Sequence, residues 1–310
     1  MRRKSETSMH TLAAKLGVSA ATVSRALNNS PLISDQTRNR IIAAARSMKL
    51  LRNRKNAAVL IPPPNPNGSG LIPHYMKYLS CEAEKRHWQI EYIHANQLGM
   101  LNERIIDGII SLDYTLDLGR RFSKTYALPI VCINEYADRA SDSMSIVSDE
   151  QSNMRDLVSW FVRHGHKRIG FFTNSPPDNF ITKMRRETFF SQTKSLKVSG
   201  FENRFSDFED SFAELYSKKI TALICCGEKC TEKIFPLFRK MKIAVPDRLE
   251  VAAWYFSESL SFLNDKISIV EQNHRLIAKY AFDLLEQKLS GAQKIEKKLV
   301  KYRFFPRETI

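Results

Sequence analysis

The sequence predicts an N-terminal all-α helix-turn-helix headpiece joined to a larger α/β core, and three observations carry that prediction. Residues 1–58 hold twelve Lys or Arg against two acids, Glu6 and Asp35, a charge of +10; the other 252 residues carry 36 cations against 31 anions, only +5 of the total +15. Within the first fifty residues Leu12, Leu16, Val18, Val23, Leu27, Ile33, Ile41, Ile42 and Ala45 recur at spacings that make a small three-helix core. From Ala57 onward, short apolar runs alternate with helical patterns, the order expected of parallel sheets wrapped by helices.

Taken in chain order, Ser8 is placed to cap a helix through Leu16, and Gly17 ends it by accepting a left-handed backbone. Ser19 caps a second helix to about Leu27, so the segment reads helix, tight turn, helix. Ser34-Asp35-Gln36-Thr37 opens a third, with Arg38, Arg40 and Arg46 on polar positions and Ile41, Ile42 and Ala45 facing inward. This spacing sets the second helix in a major groove with its N-terminal side chains at base edges. The local cation excess is the footprint of a module that meets a polyanion, because Lys and Arg release counterions from phosphates.

The core strands are expected at Ala57 to Ile61, Gln89 to Ile93, Ile105 to Ser111, Ile130 to Ile133, Ile169 to Thr173, Ala222 to Cys226 and Leu249 to Ala253. Helical patterns lie between them, including Met154 to Val162, Glu228 to Met241 and the run Ile277, Ala278, Ala281, Phe282, Leu284, Leu285, Leu289. The Pro62 to Gly70 stretch reads as a loop at a strand's carboxyl end, where open α/β folds line their ligand crevices.

Catalysis finds little support. Phosphate-loop, dinucleotide, zincin and hydrolase-elbow motifs are absent from the sequence. His164 and His166 read as a helix C-terminal cation and a turn residue, and Cys81, Cys132, Cys225, Cys226 and Cys230 as buried thiols of a reducing compartment. No cofactor or metal is expected. No run approaches the roughly 18 apolar residues of a membrane span, and Glu6, His10 and Lys15 interrupt what would be a signal peptide, so the expectation is a soluble cytoplasmic protein without a membrane partner.

The run Ser8-Met9-His10-Thr11-Leu12-Ala13-Ala14-Lys15-Leu16-Gly17-Val18-Ser19-Ala20-Ala21-Thr22-Val23-Ser24-Arg25-Ala26-Leu27-Asn28-Asn29, continuing through Ser30-Pro31-Leu32-Ile33-Ser34 and Thr37-Arg38, resembles the headpiece of the lactose-repressor/galactose-repressor (LacI/GalR) transcription regulators. By that resemblance Ser19, Thr22 and Ser24 support phosphate or base contacts, Arg25 reaches a base edge and Asn28 holds the DNA backbone. Ala20 and Ala21 stand where relatives often place longer specificity residues. Methyl groups can touch thymine but cannot form bidentate hydrogen bonds, which shifts direct readout toward Arg25 and His10. The resemblance implies a DNA-binding domain over 1–50, a short basic linker over 51–56 whose Arg52, Arg54 and Lys55 can bind phosphates, and a core over 57–310. The linker departs from the family: it is about ten residues short and lacks the proline and the wedge helix that relatives order on DNA, so coupling of ligand to DNA uses another route or is weak.

The likeness extends thinly along the core through Asp107-Gly108-Ile109-Ile110, Leu128-Pro129-Ile130-Val131, Asp149, the His164 to Ile169 turn, Arg185 to Phe189, Val245-Pro246 and Arg307-Glu308-Thr309. It implies a periplasmic-binding-protein-like core of two Rossmann-like lobes, lobe 1 over about 57–165 and 269–291 and lobe 2 over about 166–268 and 292–310, with crossings near 165, 268 and 292. Family positions put Pro73, His74 and Tyr75 on the first wall of a ligand cleft, Asp149 at its edge and Arg185 on the second. Gly227 replaces a common amide contact, and Tyr255 takes the place of an acidic one. The implied function is sequence-specific regulation of transcription, with repression by a homodimer on a roughly palindromic double-stranded DNA operator as the expectation. Lobe 1, through the His74 to His87 and Asn273 to Leu289 helices, is expected to supply the dimer interface. A sugar or sugar-phosphate effector between the lobes is expected to control it; the alternative is a regulator whose core has lost its ligand and acts constitutively or through a protein partner.

Overall fold

In the computed structural model the described residues are 2–28, 30–48, 50, 55–62, 71–103, 106–112, 128–134, 144–175, 180–203, 207–254, 267–291 and 297–306. The headpiece is built from α1 (Arg2–Leu16), α2 (Ala20–Leu27) and α3 (Asp35–Ser47). Helix α1 starts at Arg2 instead of after Ser8, because neither proline nor glycine interrupts residues 2–8. It ends as expected. Gly17 adopts φ 65°, the Val18 N–H donates to the Ala13 carbonyl at 3.1 Å, and the chain turns within three residues. Leu12, Val23, Ala26, Ile41 and Ala45 close a core between the three helices.

The third helix corrects the sequence reading at one residue. Arg38, expected on a polar face, is only 1% exposed and donates to the carbonyl of Ile106. Ile42, one turn on, is 3% exposed and lies outside the headpiece's own apolar cluster. With Asn39 it lines a pocket of about 230 Å³ completed by Lys55, Asp107, Glu286, Leu289 and Ser290. Helix α3 therefore rests on the amino-terminal edge of the first core sheet.

That sheet contains β1 (Asn56–Ile61), β2 (Gln89–His94), β3 (Gly108–Ser111), β4 (Ile130–Ile133), β5 (Met144–Ser148) and β11 (Lys297–Val300), in the order β11-β5-β4-β3-β1-β2. Strands β1 to β5 are parallel wherever they pair. Helices α4 (Leu71–Lys85) and α9 (His274–Leu289) accompany it and are joined by Arg86, which reaches Glu82, Asp283 and Glu286 at 2.7–2.9 Å. The edge of Trp88 meets Phe282 with centroids 5.5 Å apart.

The second sheet repeats the plan. Its strands β6 (Arg168–Thr173), β7 (Ser199–Glu202), β8 (Ala222–Cys226), β9 (Glu250–Trp254), β10 (Ser268–Glu271) and β12 (Arg303–Phe305) run β12-β10-β9-β8-β6-β7, with only β12 antiparallel. Helices α5 (Glu150–Arg163), α6 (Phe180–Ser195), α7 (Phe208–Ser217) and α8 (Glu228–Lys240) cover its faces. Strands β8 and β9 at the centre of the sheet are buried along their whole length, on both faces, as parallel sheets require.

The chain divides into one unit of Met1–Val147 with His274–Leu299 and another of Ser148–Asn273 with Val300–Ile310. The first crossing therefore precedes α5 instead of following it near residue 165, and the others fall at 273/274 and 299/300 instead of near 268 and 292. The reason is packing: Met154, Leu157, Val158 and Phe161 of α5 join Ile169, Phe171 and Ile224 in the core of the second sheet. Four cysteines are buried as expected, but Cys81 is exposed on α4.

Candidate functional site

The headpiece presents a firm polar face. Ser19 Oγ accepts the Thr22 N–H at 3.0 Å and lies 2.9 Å from Thr22 Oγ1, which fixes the first turn of α2. Ser34 does the same for Thr37 at the start of α3, at 3.2 Å. Val23 and Ala26 anchor α2 from below. His10, Ser19, Ala21, Arg25 and Asn28 are exposed, and Thr22 and Ser24 are half-buried. Ala20 departs from the expected pair, since it packs against the headpiece core while Ala21 faces outward. Arg40 donates to the Leu16 carbonyl at 2.6 Å, securing the end of α1. Among the linker cations, Lys55 places its ammonium 5.3 Å over the Trp88 ring, on the core. Arg52 and Arg54 lie outside the described residues.

In the first core unit, strand order reverses at β1, so the carboxyl ends of β1 and β3 form a topological switch point of the kind that hosts ligands in open α/β sheets. Tyr75, in the second turn of α4, is fully buried, and its hydroxyl accepts from Asn134 Nδ2 at 2.8 Å. Pro73 is exposed in the first turn of that helix. His74 stacks on His274 with centroids 5.5 Å apart, Tyr75 meets the same ring edge-on at 4.8 Å, and Tyr78 lies parallel to it at 6.1 Å. His274 is 3% exposed, and among the described residues neither of its ring nitrogens has a hydrogen-bond partner. Burial, reinforced by His74, lowers its pKa to about 3, so the imidazole is neutral. Local sequence could not mark His274, because its surroundings come from a helix 200 residues earlier.

In the second unit the corresponding reversal lies at β6, between Thr173 and Cys226. Gly227 follows with φ 105°, a backbone conformation that calls for glycine, although an added Cβ would have room beside Asn174 Oδ1 at 3.4 Å. Asp149 caps α5 by accepting the Ser152 N–H at 3.1 Å. Tyr255, the next residue in sequence after β9, is outside the described residues.

Arg185 is committed to a network that sequence reasoning did not find. Its Nε donates to Glu150 Oε2 at 2.7 Å and its Nη2 to the Tyr302 hydroxyl at 3.1 Å. The guanidinium lies 4.7 Å over Trp254. Tyr302 donates to Glu150 Oε1 at 2.5 Å and accepts from Gln272 Nε2 at 3.0 Å, which uses its one proton and both lone pairs. The Glu150 side chain is 1% exposed and that of Arg185 15%. Burial and the neighbouring Glu150 charge push the Tyr302 phenol far up, keeping it a donor. Burial likewise raises the Cys226 thiol to about 12 and Cys230 well above its usual value, which leaves both protonated and poor nucleophiles at neutral pH. Among the described residues no group of three or more His, Cys, Asp or Glu could hold a metal ion, and no helix is long and apolar enough to cross a membrane.

Residues 8–53 match the family model of bacterial regulatory proteins, lacI family, and residues 158–310 match the periplasmic binding protein-like domain. The HTH-type transcriptional regulator YkvZ of Bacillus subtilis (strain 168) is 23% identical over 328 residues, covering 96% of this chain and 98% of that protein. Among solved structures, the transcriptional regulator CelR in complex with cellobiose superposes with a TM-score of 0.68 at 16% identity, over 97% of this chain and 99% of the other. The lac repressor dimer bound to operator and the anti-inducer ONPF gives 0.67 at 17% identity, over 96% and 97%.

Proposed function

The chain belongs to the lacI family of bacterial regulatory proteins, a DNA-binding transcription regulator and not an enzyme, and on that premise we propose a homodimeric repressor whose affinity for a palindromic operator is set by a small polyhydroxylated effector. The observation that carries the DNA half is the exposed row Ser19, Ala21, Arg25 and Asn28 on a helix capped at its start and anchored by a packed core. Arg25 supplies the base contact, Ser19, Thr22, Ser24, Asn28, Arg52 and Arg54 the phosphate and neighbouring contacts, and His10 adds to the readout. Arg38 and Ile42 dock the headpiece on the first core sheet through α3, leaving the α2 face open; this contact takes over the orienting role of the wedge helix whose sequence the short linker lacks. The protein works in the cytoplasm, where its operator is.

The effector half is supported by the cellobiose carried by CelR and by the switch point in each of the two sheets. His74, Tyr75, Asp149, Arg185, Gly227 and Tyr255 are the residues proposed to meet it. Helices α4 and α9, already joined by Arg86, are proposed as the dimer surface.

The test is a titration of neutral mono- and disaccharides into the complex of full-length protein and operator. At least one sugar should change operator affinity by about fivefold or more, the lower end of ordinary allosteric coupling. No change across the panel would remove the effector from the account and leave a constitutive regulator.

A further inference from the structure

We infer that Glu150 is a specificity determinant that reserves the effector site for uncharged polyols and excludes sugar phosphates, carboxylates and other anions. The inference rests on the effector reading above and deepens it. Arg185 is a cation near the carboxyl edge of the second sheet, and its family position offers it as a charged ligand contact whose guanidinium suits anions as well as hydroxyls. The structure gives that charge to the chain's own carboxylate. Both Glu150 oxygens are engaged, one by Arg185 and one by Tyr302, and the side chain is 1% exposed. An anionic ligand on Arg185 would have to compete with a buried, fully hydrogen-bonded partner and leave that carboxylate without its counter-charge, a strongly unfavourable exchange.

A neutral hydroxyl meets no such obstacle. Arginine has five N–H donors, and the contacts to Glu150 and Tyr302 use two of them, so donors remain for a hydroxyl without disturbing the ion pair. Trp254, beneath the guanidinium, fixes its plane. The position of Glu150 adds to its hold on Arg185. It is the first residue of α5, where the helix dipole favours a negative charge. Moreover, Glu150, Gln272 and Tyr302 each lie within three residues of a point where the chain passes between units, so the same network that neutralises Arg185 ties the three connecting segments together. Displacing Glu150 would disturb all three.

The test compares full-length wild type with Glu150→Gln, using inorganic phosphate, glucose and glucose 6-phosphate in thermal denaturation. Wild type should be insensitive to phosphate beyond the effect of equal ionic strength. Glu150→Gln should melt lower and be rescued by phosphate, by about 5 °C or more at a hundredfold excess over the dissociation constant. The double variant Glu150→Gln/Arg185→Gln, which has no buried charge to satisfy, should be insensitive again. Stabilisation of wild type by phosphate or by glucose 6-phosphate over glucose would overturn the inference, as would a folded Glu150→Gln that ignores phosphate. If Glu150→Gln cannot be purified, the wild-type arm decides alone. Failure of every sugar to act on the operator complex, with phosphate rescue intact, would instead sink the effector reading and leave Glu150 only as the internal counter-charge of Arg185.

Discussion

Arg25→Ala is expected to remove most discrimination between operator and random DNA while leaving binding to random DNA nearly intact. The loss should be about 1–3 kcal/mol for each bidentate base contact, and it is doubled in a two-fold complex because each half-site loses one. The size follows from what surrounds Arg25. Ala20 is turned into the headpiece core and Ala21 offers a methyl, so α2 has few other hydrogen bonds to give to base edges. Arg25 itself is exposed and outside the apolar cluster, so its loss leaves the headpiece folded. Competition between operator and random duplex at two salt concentrations measures this. Equal selectivity ratios for variant and wild type would remove Arg25 from the readout.

His274 should make the protein lose stability on mild acidification. Its folded pKa of about 3 lies below the ordinary value of 6.5, so the unfolded chain binds the proton more readily between these limits. Stability is therefore full above about pH 6.5 and falls as the pH drops toward 3, by about 2 kcal/mol at pH 5 from this group alone. The groups facing the ring are His74, Tyr75 and Tyr78 of α4, and none is an acid that could stabilise an imidazolium. His274→Leu removes the titrating group and keeps an apolar residue of similar bulk, so its melting temperature should fall less between pH 7 and pH 5 than that of wild type. Parallel curves for the two proteins would show that His274 does not carry the effect.

Much of this architecture is legible in the sequence, and its limits have physical reasons. The helix-turn-helix could be read because its signals are local: Gly17 supplies the left-handed turn, Ser19 the cap, and Val23 with Ala26 the buried stripe. Strands such as Ala222–Cys226 stood out because burial on both faces leaves a continuous apolar run. Strands β5, β7, β10, β11 and β12 did not: β7, β11 and β12 are short and partly exposed, and in the buried Met144–Ser148 and Ser268–Glu271 serine or glutamate breaks the apolar run. The candidate effector residues are harder. Arg185 is named by family position alone, and its partners Glu150 and Tyr302 lie 35 and 117 residues away, with nothing beside any of the three to announce the others. Arg38 misled for a related reason: its spacing puts it on the polar side of an isolated helix, and only the docking of α3 on the core buries it.

The most direct measurement of the central claim is selection of binding sites by the full-length protein from a pool of random duplexes, followed by the mass of the complex formed on the winning sequence. A lacI-family regulator acting through paired recognition helices should enrich an inverted repeat with a single preferred half-site spacing and place two chains on each duplex. Enrichment of no sequence, or of one unrepeated half-site held by a single chain, would contradict the account.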